Sequence, residues 1–165
     1  MFMRAVTLAG LCSILAVCFG TPRADEYSEY GTADDAKAML DRAVVAMKAD
    51  KTEAIQQFNF NATPFRDRDL FVFCFEGDNG KFTAHEALVG QDVRALHDKT
   101  GKPFGELMYE TAKENQIGTI AYMSPEPGST LQVPKRAYVT RIGEQVCGVS
   151  FYRFNGPGTP IEYTR

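Results

Sequence analysis

The chain has 165 residues, 44% of them hydrophobic and 24% charged, with a formal net charge of −3. That length and apolar fraction suit one domain with a core of its own, and the absence of any basic run or basic-aromatic interleaving speaks against nucleic acid as a partner. The two histidines stand twelve apart and match no zinc-ligand spacing, so neither a metal nor another cofactor is expected.

Arg4 followed by the apolar run from Ala5 to Phe19 has the charged-then-apolar order of a secretory signal. Cleavage after Gly20 is expected, making residues 1–20 a signal peptide and 21–31 a linker, with a periplasmic protein of about 145 residues as the product. The alternative is an uncleaved anchor, since the run is only slightly shorter than the roughly 17 to 25 apolar residues that span a bilayer. Loss of Arg4 moves the formal charge from −3 to −4.

Thr32 and Asp35 form a capping-box pattern, and Ala36, Leu40, Ala43 and Met47 recur at helical spacing, which predicts an amphipathic helix over Ala33 to Ala49. Thr52 is expected to cap a short second turn through Ile55 and Gln56. Phe58, Phe60 and Phe65 then fall in a loop with Pro64. In "LFVFCF" Leu70, Val72 and Cys74 point to one face and Phe71, Phe73 and Phe75 to the other, which predicts a central strand.

Asp78, Asn79 and Gly80 supply a tight hairpin turn, and Lys81 to Ala84 return as the partner strand, with His85 near its end. A loop with a turn at Asp98 to Gly101 leads to a short helix marked by Phe104, Leu107, Met108 and Thr111, ending near Lys113. Gly118 to Met123 reads as a third strand and Ser124 to Thr130 as a loop. Arg136 to Ile142 and Gln145 to Phe154 read as two strands joined by a turn at Gly143 and Glu144. Residues 155–165 read as a flexible tail. Cys74 and Cys147 each lie in a strongly apolar segment; an oxidising compartment permits a disulfide, but buried thiols are the favoured expectation. The element order gives an α+β fold.

Taken together, "RDLFVFCFEGDNGKFTAHEALVG", "DKTGKPF", "GTIAY" and "KRAYVTRIGEQVCGVSFYR" resemble, in order and spacing, the extracytoplasmic single Cache domains, PAS-like sensory modules of bacterial chemoreceptors and histidine kinases. The resemblance covers roughly residues 33 to 154, and the domain is assigned to residues 32–154. It implies a five-stranded antiparallel sheet, with the long N-terminal helix on one face and short helices and loops forming a pocket on the other. It also implies that the first and last strands are neighbours, with Cys74 and Cys147 side by side or one residue apart. Glu86 stands where the family has proline, and Ser124 and Pro125 stand near where it has an aromatic.

No nucleophile motif accompanies His85, so an enzyme is not expected. The resemblance instead implies a sensory protein that binds a small organic acid or amino acid and presents it to a membrane histidine kinase or chemoreceptor. The alternative is a non-catalytic adaptor with a vestigial pocket. Lys135 or Arg136 together with Tyr138 offers a cation and a phenol for a charged ligand end. The resemblance implies that Tyr122 and His85 border that pocket and that Phe73 forms part of its apolar floor. Tyr109 and Glu110 read as a solvated helix face.

Overall fold

The computed structural model describes residues 30–156 and 159–160, so the expected signal peptide and nearly all of the expected linker lie outside the described residues. Helix α1 spans Ala33–Ala49 and begins as the sequence indicates: the Thr32 hydroxyl accepts from the Asp35 N–H, and the Asp35 carboxylate accepts from the Thr32 N–H. Its buried stripe is Ala36, Met39, Leu40, Ala43 and Met47. Asp50 ends α1 in an extended conformation while its carboxylate accepts from the Glu53 N–H, restarting the chain as α2, Lys51–Asn59. Asp50, and not Thr52, is therefore the cap. α2 carries Phe58 inward onto Phe65, with ring centroids 4.7 Å apart.

The strands that follow are β1 (Arg66–Asp67), β2 (Leu70–Glu76) and β3 (Phe82–Ala84). After a 3-10 turn at Val93–Ala95 and helix α3 (Phe104–Thr111) come β4 (Gly118–Pro125), β5 (Gln132–Ile142) and β6 (Gln145–Tyr152). They form a six-stranded antiparallel sheet in the order β1-β2-β6-β5-β4, with β3 also paired to β2. The count exceeds the expected five because the two residues of β1 pair with Leu70 and Phe71, sharing with β3 the edge of β2 that β6 leaves open. β4 and β5 run further than the sequence indicates. Ser124 and Pro125 stay paired with Val133 and Gln132, and the loop between closes with Glu126 N–H donating to the Leu131 carbonyl. Pro134 lies just past the last β5–β6 pair, Lys135 with Tyr152, where its carbonyl still accepts from the Arg153 N–H and its missing N–H falls outside the ladder. From the last residue of the expected strand into the segment read as a tail, Phe154–Gly156 (β7) and Thr159–Pro160 (β8) pair with each other apart from the main sheet.

Alternation along the strands splits the core into two layers. Leu70, Val72, Cys74, Cys147, Val149 and Phe151 pack under α1, while Phe73, Phe75, Val139 and Val146 face α3 and the connecting loops. Every residue of β6 is buried. Gly148 is small for a reason: a Cβ there would lie 2.4 Å from Cζ of Phe73 and 2.6 Å from the Tyr138 carbonyl.

Cys74 and Cys147 are bonded, with their Cα atoms 4.1 Å apart, which corrects the expectation of thiols. The register sets them directly opposite each other on adjacent central strands, as the resemblance implied. Two cysteines facing the same side of a sheet at such a pair are within bonding reach, and an apolar layer that suits a thiol suits a disulfide equally.

The bond closes a loop across a sequence separation of 73 residues. Chain entropy assigns such a cross-link about 4 kcal/mol. The Cys74→Ala/Cys147→Ala variant is therefore expected to lose stability of about that size in urea unfolding. Equal unfolding midpoints for the variant and the parent would contradict a formed cross-link.

Candidate ligand-binding site

The sheet face away from α1 is floored by strand residues in register. Tyr122, Lys135 and Tyr152 stand side by side on β4, β5 and β6, followed on the same face by Ile120, Ala137 and Ser150. The loop leading into α3 forms the roof. Gly105 brings α3 against the Val93 turn so closely that a Cβ would sit 1.7 Å from the Val93 carbonyl oxygen. Asp98 pins the loop: one carboxylate oxygen accepts from Thr100 N–H at 2.8 Å and Lys102 N–H at 3.1 Å, the other from Met123 N–H on β4 at 3.0 Å. The Lys102 ammonium donates to the Ala121 carbonyl at 2.6 Å. Phe104 then stacks on Tyr122 with centroids 4.3 Å apart and planes within 5°.

Between floor and roof lies a cavity of about 230 Å³. Phe71, Phe73, Phe82, Leu96, Phe104 and Met108 supply apolar walls, and His85, Tyr122, Lys135 and Ser150 supply polar groups. A few convergent polar groups in an apolar pocket is the usual make-up of a small-molecule site.

His85 is held with its ring edge-on to Phe71 and Phe82, centroids 5.3 and 5.0 Å away. Its Nδ1 accepts from the Ala87 N–H at 3.1 Å, so Nε2 carries the proton and is the donor. Burial, reinforced by the charge of Lys135, pushes the imidazole down to about 4, and the ring is neutral at physiological pH. One side chain thus both braces the loop through the Ala87 N–H and lines the pocket. The Tyr122 hydroxyl donates to Ser150 Oγ at 3.0 Å, and burial raises its pKa.

Lys135 is the cation of the site. Its Nζ lies 4.1 Å from the centroid of the Tyr152 ring. Burial pulls its pKa down to about 8, opposed by attraction to Asp69. No ion pair forms between Lys135 and any carboxylate among the described residues.

Phe73, His85, Tyr122 and Lys135 thus line one cavity, whereas Arg136 and Tyr138 do not. Residues 135 and 138 are separated by an odd number along a strand, so their side chains leave opposite faces. Tyr138 packs under α1 with its ring 4.9 Å from Phe151. Arg136 is in register with Phe151 and borders another depression at the β4 edge with Met123 and Arg153, one that also reaches Tyr122 and Lys135 but not the aromatic walls. Tyr109 is not on a solvated face: its hydroxyl donates to the Gly77 and Asp78 carbonyls at 2.9 and 3.2 Å, fastening α3 to the β2–β3 turn.

Sequence reasoning missed Ser150 and the roof residues Leu96, Phe104 and Met108. Ser150 left one sign, a lone hydroxyl in the apolar run of β6. The roof residues left none beyond helical spacing, because a roof is defined by what it packs over.

The depressed His85 pKa gives a pH test. Between about 4 and the ordinary 6.5 the unfolded chain binds a proton at this site that the folded chain does not. Stability contributed by the neutral ring is therefore present above about 6.5 and lost as pH falls toward 4. A His85→Gln variant should show a flatter rise of urea midpoint with pH across that window than the parent. Parallel curves would show that the ring titrates normally.

A family model described as a Cache domain matches residues 36–152. The fold is similar to that of a methyl-accepting chemotaxis protein from Vibrio parahaemolyticus, at a TM-score of 0.58 and 20% identity, over 72% of this chain and 86% of that one. It is likewise similar to the periplasmic sensor domain of a chemotaxis protein, at a TM-score of 0.54 and 21% identity, over 72% and 88%. A third similar structure concerns carboxylic acid recognition by a Cache chemosensory domain, at a TM-score of 0.50 and 18% identity, over 72% and 86%. No curated protein matches the chain.

Proposed function

The chain belongs to the Cache domain family, and from that premise we propose that it is a periplasmic sensory protein of the single Cache type whose cavity takes a small organic acid or amino acid. The observation that carries this reading is Lys135, a largely buried ammonium among aromatic rings with no carboxylate in ion-pair contact among the described residues. A buried cation without a counter-charge is costly, and an anionic ligand end relieves that cost. The ligand carboxylate sits on Lys135, with the neutral His85 Nε2–H as a second donor and the Tyr122–Ser150 pair beside it. Phe73 closes the apolar end, which limits the ligand to a few carbons. The similar domain described for carboxylic acid recognition is consistent with this chemistry.

The reading includes a partner. A bound ligand lies on the sheet face opposite α1, and β2, β5 and β6 carry residues to both faces, so occupancy can be felt by the α1 layer. A membrane chemoreceptor or histidine kinase is the proposed recipient. No helix among the described residues is long and apolar enough to cross a membrane. No hydrolytic or redox constellation is invoked, and the protein is proposed to be non-catalytic.

The test is a thermal-shift screen of small carboxylates and amino acids followed by calorimetric titration. Lys135→Met should weaken binding of any hit by about 10- to 100-fold, the range for a charge-assisted hydrogen bond. Binding requires protonated Lys135, so affinity should hold below about 8 and fall about tenfold per pH unit once the ammonium titrates. Lack of any stabilisation across the screen would favour the adaptor alternative. Binding indifferent to Lys135→Met would move the site elsewhere.

A further inference from the structure

The sheet face that carries Tyr138 and Phe151 under α1 runs on toward β4 without cover from that helix, for the buried layer beneath α1 includes no residue of β4. Register sets Ala121 opposite Arg136 and Met123 opposite Pro134, with Phe151 on the far side of Arg136. The Arg153 N–H donates to the Pro134 carbonyl at 2.9 Å, which carries the ladder one pair past β6 and sets Arg153 diagonally across from Arg136 on one face. Both arginines border a depression of about 360 Å³ with Ala121, Met123 and Pro134 as its apolar lining and Lys102 beside them.

Both side chains are half-buried. Each of the other described arginines, Arg42, Arg66, Arg68, Arg94 and Arg141, reaches a carbonyl or a carboxylate, whereas Arg136 and Arg153 meet neither among the described residues. Two guanidinium groups are thus drawn partly out of water, side by side and unanswered, an arrangement that costs free energy until an anion joins them. Asp98 is the carboxylate of the lining, but its oxygens are taken by the N–H groups of Thr100, Lys102 and Met123. Its charge offsets that of Lys102, whose ammonium is already on the Ala121 carbonyl. Lys135 also reaches the lining, yet its ammonium stands over the Tyr152 ring on the opposite face. Two positive charges therefore remain. A guanidinium fork matches the paired oxygens of a phosphate or carboxylate, and two forks call for a doubly charged head.

We propose that this depression is a second binding site, for a dianion that bears an apolar group, in the manner of a phosphate monoester. Arg136 and Arg153 take the charged oxygens, and Ala121, Met123 and Pro134 take the apolar group. The site stands on the other face of the sheet from the Lys135 ammonium and does not depend on the reading of that cavity.

The full chain is titrated calorimetrically at physiological ionic strength with phenyl phosphate, with benzoate as a monoanion on the same ring and phenol as the ring without charge. Phenyl phosphate should bind one-to-one, benzoate and phenol about ten-fold or more weakly at these residues, and Arg136→Met and Arg153→Met should each cost about ten-fold or more. Backbone amide resonances followed through the titration should move at Ala121, Met123 and Arg136 and stay in place at Phe73, His85 and Met108. The melting temperature of each variant is recorded, and if one does not fold the resonances of the parent decide. Benzoate bound at these residues as tightly as phenyl phosphate would overturn the dianion. Movement gathered on the aromatic cavity, binding indifferent to both arginines, or no binding of phenyl phosphate at millimolar concentration would overturn the site. Vesicles of phosphatidylcholine with and without phosphatidate separate the sources of such a head. Phosphatidate-dependent sedimentation of the parent, lost in the Arg136→Met/Arg153→Met double variant, assigns it to a lipid, and phenyl phosphate binding without sedimentation assigns it to a soluble molecule.

Discussion

The pairing of β2 with β6 is the constraint on which the rest depends. It joins strands separated by some seventy residues, sets Cys74 opposite Cys147, and fixes which side chains of each strand face which layer. Because side-chain period along a strand is two, that single register also decides the site: Phe73 lands across Gly148, and through β5 it selects Lys135, not Arg136, for the cavity. A slip of one residue would exchange the two layers and put Lys135 under α1. The covalent bond at the centre of the pairing makes such a slip impossible without rupture.

On the cavity side the energetics run in the opposite sense from those of the core. Under α1 the groups are apolar and close-packed, so burial stabilises them. Over the other face a lysine, an imidazole and a phenol are drawn out of water, and the first two respond by losing affinity for protons. Such groups contribute little to folding. They are arranged on rigid strands, with the roof loop clamped by Asp98, so they stand in place without motion of the protein.

What the sequence disclosed follows the physics of local signals. The cap at Thr32, the stripe of α1 and the two-faced strand at Leu70 are written in periodicities that tertiary context did not override. Even the neighbourhood of Cys74 and Cys147 was legible from the resemblance. Their bond was not, because an apolar setting is the same for a thiol and a disulfide. The family topology brings Phe73, His85, Tyr122 and Lys135 together, but Arg136 and Tyr138 look equally suitable in sequence, because a cation and a phenol near a strand are alike until parity is applied from a known register.

The clamp at the edge of β4 has a consequence beyond the roof it secures. A sheet's last strand ordinarily offers its free amides and carbonyls to any extended peptide that comes alongside. Here the Met123 N–H is taken by Asp98 and the Ala121 carbonyl by Lys102, so the ladder is already answered in its middle. Strand addition at this edge is blocked, which guards the fold against edge-to-edge polymerisation and obliges any protein that docks here to recognise side chains instead of backbone.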